Sequence, residues 1–292
     1  MSSTIHRANN VATDQLVFGD PVTNKYGGKS CSVKYNGGDL LIQTPRMRLP
    51  FGLSKYEVMD NDGNVSRTNY SIDMSFSGFE EDDSGKPQNQ RVHDMFVLME
   101  SLEGKLRKTA CENSQEWLGL DTANDSVAKA LSRDIIRYSR DKLTKKISNK
   151  YAPTFKAKIG FWEGRFTVNA YDENRELIED LSDQVPGGTE AVAIIRLNNV
   201  TFAGGKCGFS WSVKQMKLYR PVKMPKYAFV DDDEDNEPVR IELNKEDEEA
   251  TPKNTMIDDS DSDEVDELDE DSESEPEPIP APKKKRVRKK KP

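Results

Sequence analysis

Lysines, arginines and aromatic rings interleave along one stretch of this chain, Phe155-Lys156-Ala157-Lys158-Ile159-Gly160-Phe161-Trp162-Glu163-Gly164-Arg165-Phe166. Read as a strand, its alternation sends Lys156 and Lys158 to one face and Phe155, Ala157 and Ile159 to the other. Trp162 or Phe161 then falls at a hairpin tip near Arg165. Ammonium groups that follow phosphates, together with an exposed ring on which a base can stack for roughly 1–3 kcal/mol, are what unpaired nucleic acid requires. Rings on strands more commonly fill a core. Phe155 and Phe166 are read that way, and Trp162 as the candidate stacking platform. Arg46 and Arg48 share a face if Gln43–Arg48 is extended, and Arg133, Arg137 and Arg140 have the i, i+4, i+7 spacing of one helix face. Such spacing most often marks a solvated face. Taken with Lys29, Lys34 and Lys214, these residues outline a basic groove.

Enzyme chemistry has little material. Gly27-Gly28-Lys29-Ser30 ends like a phosphate-binding loop, but the glycine required five positions before Gly28 is Thr23, so the spacing fails. Neither G-x-S-x-G nor H-E-x-x-H occurs. His6 and His93 are the two histidines, and Cys31, Cys111 and Cys207 are spaced too widely for a zinc site or a disulfide framework. They are read as reduced thiols. The acidic run 258–277 lacks the spacing and glycine of an EF-hand. The expectation is a protein that is not an enzyme and uses no cofactor or metal.

The elements that must position the groove follow from periodicity. Ser30–Tyr35 and Leu40–Thr44, around Asn36-Gly37-Gly38-Asp39, predict a hairpin. Lys55–Met59 and Tyr70–Phe76 predict two more strands. Val92, Met95, Phe96, Met99, Leu102 and Leu106 give a helical stripe over about 88–112. Val127, Leu131, Ile135 and Tyr138 predict a second helix from Asp125 or Ser126 to about Ile147. Alternation returns after Pro153 and again over Ala191–Leu197, Asn199–Phe202 and Cys207–Tyr219. Strands in antiparallel order without crossover helices argue against a parallel α/β sheet. The fold expected is α+β: an OB-type antiparallel β-barrel with an inserted helical pair at about 88–147, plus a long disordered acidic C-terminal tail.

Charge divides the chain at the same place as the rings. All 11 Phe, 9 Tyr and 3 Trp precede position 231. Residues 1–230 hold 32 Lys/Arg against 28 Asp/Glu, residues 231–282 hold 3 against 24, and residues 283–292 hold 8 against none. The overall charge of -9 therefore describes a tail of -21 beside a mildly basic body. A segment without rings cannot bury enough apolar surface to offset its ordering entropy, so 231–292 is expected to be disordered. Residues 1–25 are polar and read as a flexible arm, leaving 26–230 as the folded domain. No apolar run suggests a membrane span or a secretory signal. Ser260, Ser272 and Ser274 each have an acid at +3, where phosphorylation would deepen the charge. Pro282 followed by Lys283, Lys284, Lys285 and Arg286 has the form that a nuclear import receptor reads, and resembles the signal of polyomavirus large T antigens.

A family resemblance rests on two stretches. Tyr26-Gly27-Gly28-Lys29-Ser30 through Leu41-Ile42-Gln43-Thr44-Pro45-Arg46-Met47-Arg48-Leu49-Pro50-Phe51-Gly52-Leu53-Ser54, with Val200-Thr201-Phe202 and Lys206-Cys207-Gly208-Phe209-Ser210-Trp211-Ser212-Val213-Lys214-Gln215, resembles a segment shared by proteins of nucleocytoplasmic large DNA viruses. That group is similar to the replication single-stranded DNA-binding proteins of short-tailed phages, which pair an OB-fold core with an acidic C-terminal tail. The resemblance covers about 26–220. It implies a groove at Arg46, Arg48, Lys156, Lys158, Trp162 and Arg165, with single-stranded DNA as ligand, in viral replication or recombination in the host nucleus or packaged in the virion. The phage tails end in acids and an aromatic, whereas this chain ends in a basic cluster, and its helical insertion is longer. Viral DNA polymerase, helicase or primase are the partners implied for the tail. The alternatives are an acidic-tailed nuclear chaperone or virion scaffold protein that binds basic proteins, or a minor capsid component. Whether the body forms a homodimer, and whether the ligand is DNA or RNA, the residues leave open.

Overall fold

The computed structural model describes residues 4–25, 27–60 and 62–221. The acidic segment 231–282 and the basic end with Lys283, Lys284, Lys285 and Arg286 lie outside the described residues. The first half carries β1 (Ile5–Arg7), β2 (Leu16–Thr23), β3 (Lys29–Tyr35), β4 (Leu40–Gln43), β5 (Met47–Leu49), β6 (Leu53–Met59) and β7 (Val65–Ser75). Then come α1 (Gln90–Glu112), α2 (Ser114–Leu118), α3 (Asp125–Ala130) and β8 (Ile136–Arg137). The second half adds β9 (Thr154–Ile159), β10 (Phe161–Trp162), β11 (Arg165–Phe166), β12 (Asn169–Tyr171), β13 (Leu177–Ile178), β14 (Thr189–Ala203) and β15 (Lys206–Tyr219). The architecture is α+β and mostly sheet.

Five strands close on themselves in the order β14, β5, β7, β9, β15 and back to β14. This ring is consistent with an OB-type barrel. Its interior follows from period-2 patterning: Ile72, Met74, Phe155, Ala157, Ile195, Leu197 and Trp211 are all buried. The long β14 organises one wall, because β3, β4 and β5 lie end to end along it, opposite 199–202, 194–197 and 189–191 respectively. At Thr44-Pro45 the ladder steps. The Thr44 N–H donates to the Ala193 carbonyl at 2.8 Å, and the Ala193 N–H donates to Thr44 Oγ1 at 2.9 Å.

Several expectations are corrected. The residues expected to form an N-terminal arm hold two strands: β1 runs parallel to β4, and β2 pairs with β3 across a register shift between Phe18 and Pro21. Ala8 and Leu16 are buried. Ser30–Tyr35 and Leu40–Thr44 do not form a hairpin beyond one bridge between Tyr35 and Gly38, because both face β14, where Leu40 and Ile42 meet Leu197 and Ile195. The order is not wholly antiparallel, since β1–β4, β9–β15 and β12–β15 are parallel.

The helical insertion is also corrected. Its first helix forms, with Asn89 Oδ1 accepting from the Arg91 and Val92 N–H groups, as an N-cap should. The second ends at Ala130 instead of Ile147. Two tertiary bonds take the backbone there: the Cys207 N–H donates to the Leu131 carbonyl at 2.9 Å and the Arg133 N–H to the Cys207 carbonyl at 2.7 Å. Then Glu103 Oε1 on α1 accepts from the Ile135 and Ile136 N–H groups at 2.7 and 2.9 Å. Arg133, Arg137 and Arg140 consequently share no helix face. The thiols of Cys31 and Cys207 are buried, and burial pushes that of Cys31 up to about 11.

Burial raises the Glu103 carboxyl above its ordinary value, against the two backbone bonds that lower it. A raised folded-state value means its contribution is fully present below the unfolded pKa and falls as pH rises through the folded one. Glu103→Ala, which orphans two N–H groups, should cost about 2–4 kcal/mol in urea unfolding. Glu103→Gln, which keeps an acceptor and cannot ionise, should cost less and flatten the loss of stability on going from mildly acidic to neutral pH.

Candidate nucleic-acid interface

The outer wall of the barrel collects the complementary set of strand residues. On β9, Phe155, Ala157 and Ile159 are buried, so Thr154, Lys156 and Lys158 face outward. Register extends these positions sideways. Arg196 lies opposite Ser212, Ser212 beside Lys158, Lys158 opposite Ser71 and Ser71 opposite Ser54. At about 4.8 Å per ladder, this row of five strands spans roughly 19 Å. A second row places Lys156 opposite Asp73. A third runs from Glu190 to Arg48, Ser75, Thr154 and Arg137. Above them Tyr56 lies opposite Asn69, with Val58 opposite Arg67 one step on. Tyr56 is 51% exposed.

The second exposed ring stands on a separate ribbon. Glu163 and Gly164 both take positive φ, +47° and +79°, the geometry of a tight two-residue hairpin turn. β10 and β11 thereby pair Phe161 with Phe166 and Trp162 with Arg165. Phe161 and Phe166 pack against Tyr70 at ring separations of 4.8 and 4.9 Å, which docks the ribbon on the barrel. Trp162, on the other side, is 67% exposed. The wall thus presents two solvent-facing rings, several cations and a line of hydroxyls.

Beyond β14 the row ends in a polar cleft of about 310 Å³, lined by Ser30, Ser32, Lys34, Asp39, Arg196 and Asn199 among others. One carboxylate bridges two cations here: Asp39 Oδ1 is 3.1 Å from Lys34 Nζ, and Oδ2 is 3.3 Å from Arg196 Nη2. Burial alone would raise the Asp39 carboxyl. The Lys34 bond and the charges of Arg196 and Lys214 outweigh it and hold the group below its ordinary value. The bridge is therefore lost only as pH falls through that lowered value. Lys214 itself is exposed at a bulge, where the ladder skips from Val213 to Gln215.

The structure thus brings Lys34, Arg48, Lys156, Lys158 and Lys214 to the outer side of the barrel, with Trp162 and Arg165 on the attached ribbon. One position departs: Lys29 points to the opposite side of β3, over the Phe202 ring at 5.1 Å, and donates to the Glu116 carbonyl of α2. Arg46 precedes β5 and is engaged at the end of the third row, where it ion-pairs Glu190 at 2.5 Å and lies 4.0 Å over the Tyr219 ring. Tyr56, Arg67, Arg196 and Asp39 were not singled out from sequence. Alternation along Leu53–Met59 and Val65–Ser75 carries the signal for Tyr56 and Arg67, whereas the Asp39 bridge depends on strands over 150 residues apart.

No family model and no curated protein matches this chain. Among solved structures, it is similar to the single-stranded DNA-binding protein from bacteriophage Enc34 in complex with ssDNA, at 13% identity over 70% of this chain and 96% of that one, with a TM-score of 0.36. A C-terminal truncation of the Enc34 protein gives 13% identity, 73% and 99% coverage, and a TM-score of 0.36. The single-stranded DNA-binding protein gp2.5 encoded by bacteriophage T7 gives 11%, 66% and 98%, and 0.34.

Proposed function

We propose that this protein is a non-enzymatic single-stranded DNA-binding protein that holds unpaired DNA during replication or recombination. The observation that carries the reading is the outward row Arg196, Ser212, Lys158, Ser71 and Ser54, with Tyr56 and Trp162 exposed nearby. Cations neutralise phosphates, hydroxyls accept and donate without regard to base identity, and rings stack any base. OB-type barrels bind oligonucleotides across their second and third strands, here β7 and β9. The acidic segment 231–282 competes with DNA for the same cations and, once displaced, recruits basic partners. A replicative polymerase, helicase or primase is the partner class of that tail, and Lys283–Arg286 addresses the chain to a nuclear import receptor and the host nucleus of a large DNA virus.

The second reading, a chaperone or scaffold for basic proteins, is favoured by the -21 of residues 231–282 alone. The two differ in where affinity resides. Oligonucleotides should bind residues 1–230 on the first reading, and histones should bind 231–282 on the second.

Fluorescence anisotropy with oligo-dT tests the wall directly. Replacing Tyr56 and Trp162 by alanine together should weaken binding by at least about 30-fold, from the loss of two stacked bases. Lys156→Ala with Lys158→Ala should reduce the log–log salt slope by about 1.4, at 0.7 per phosphate contact; an unchanged slope removes these lysines from the site.

Asp39→Asn frees two cations from their internal carboxylate and should tighten oligo-dT binding by about fivefold at low salt, the scale of one exposed ion pair. A chain ending at Phe229 should likewise bind more tightly than the full chain, and equal affinity rules out the tail as competitor.

A further inference from the structure

Between β8 and β9 the chain leaves the barrel as an arm over residues 138–150. Its two legs are tied by a bridge between Arg140 and Ile147, by the Ser148 N–H donating to the Ser139 carbonyl at 2.8 Å, and by the Ser139 hydroxyl donating to the Ser148 carbonyl at 3.0 Å. The tip is held just as firmly. Asp141 Oδ1 accepts from the Leu143 N–H at 3.1 Å, the Thr144 N–H at 2.7 Å and the Thr144 hydroxyl at 2.9 Å. The Asp141 N–H donates to the Lys146 carbonyl and the Lys145 N–H to the Asp141 carbonyl, each at 2.9 Å. These bonds hold Leu143 at 93% exposure, so the display of an aliphatic side chain is imposed by the turn.

Charge and placement say what would meet it. Arg137, Arg140, Lys142, Lys145, Lys146 and Lys150 face Asp141 as the one acid between 137 and 151, and that acid is engaged in the turn. The arm springs from Arg137, which lies opposite Thr154 in the row that also holds Ser75 and Arg48, so it continues the outer wall of the barrel. The two ends of this track differ in chemistry. The barrel carries the exposed rings Tyr56 and Trp162 and the base of the arm Tyr138 and Tyr151, suited to unstacked bases, whereas the tip carries a leucine among lysines. An aliphatic wedge does not offer a stacking face but packs against or between base steps. A cationic tip also gains most where phosphates are densest, along a duplex with one charge per about 1.7 Å.

We propose that the 138–150 arm seats on the duplex side of a junction between double- and single-stranded DNA, with Leu143 against the terminal base pair and Lys142, Lys145 and Lys146 on the flanking phosphates. The proposal rests on the reading of the barrel wall as the site for the unpaired strand, and it adds a positioning function: binding directed to the place where a duplex opens.

The experiment compares the full chain with Leu143→Ala and with Lys142→Ala/Lys145→Ala/Lys146→Ala. Each is titrated against oligo-dT and against a DNA hairpin bearing a dT overhang of the same length, with thermal unfolding as a folding control. The unmodified chain should bind the overhang hairpin about tenfold more tightly than oligo-dT, the gain from one or two added phosphate contacts and a wedge. Both variants should bring that ratio to within about twofold of unity while holding oligo-dT as before. Equal binding of the two probes by the unmodified chain, or equal weakening of both by the variants, overturns the junction role and leaves the barrel reading intact. Failure of the unmodified chain to hold oligo-dT at all overturns the barrel reading, and the junction role with it.

Discussion

Closure of the five-strand ring depends on a three-residue strand. Met47–Leu49 must satisfy β14 on one side and β7 on the other, and Arg48 is the residue with a registered neighbour on both, Glu190 and Ser75. The path into this strand steps at Pro45, which has no N–H to give, and the Thr44 hydroxyl stands in as acceptor for Ala193. The path out turns at Gly52, with φ +67°, where a Cβ would collide with the Val185 carbonyl. That carbonyl accepts the Leu53 N–H at 3.0 Å. Without these local devices residues 189–191 of β14 and Ser75 of β7 would lose their partners, and the row from Glu190 through Arg48 to Arg137 would break.

The chemistry of the wall follows from that continuity. Polar side chains on separate strands become neighbours only because the ladders keep step, so Arg196, Ser212, Lys158 and Ser71 line up although they derive from four strands spread over 142 positions. Their charge is moderated internally, by Asp73 opposite Lys156 and by Asp39 between Lys34 and Arg196. Internal carboxylates of this kind favour a ligand that delivers many phosphates at once over isolated anions, because a polyanion regains over several contacts what each displaced ion pair costs.

Much of this was legible in sequence where the signal is local. The inward set Phe155, Ala157 and Ile159 and the outward lysines follow from alternation, and the α1 stripe from its 3.6-residue period. The paired strands β14 and β15 follow from their patterning around Gly204-Gly205. The second helix shows where such reading stops. Val127, Leu131, Ile135 and Tyr138 keep a helical spacing, but the backbone past Ala130 is bound by Cys207 and by the Glu103 carboxylate, partners that lie 76 and 33 residues away. The two N-terminal strands were missed because their polar sequence gains order from β3 and β4 and not from its own pattern. Lys29 was misplaced for a simpler reason: one residue of register puts it on the side of Phe202 and not that of Lys34.

The register shift in β2 has a bearing on crowding. Among the described residues β2 is bonded to β3 alone, along one side. Its centre reads Gly19-Asp20-Pro21, a bulge with a charge and an imino nitrogen where a neighbouring chain would need a donor. Such an edge is a poor template for sheet growth, so copies of the chain can crowd together and still come apart as individuals.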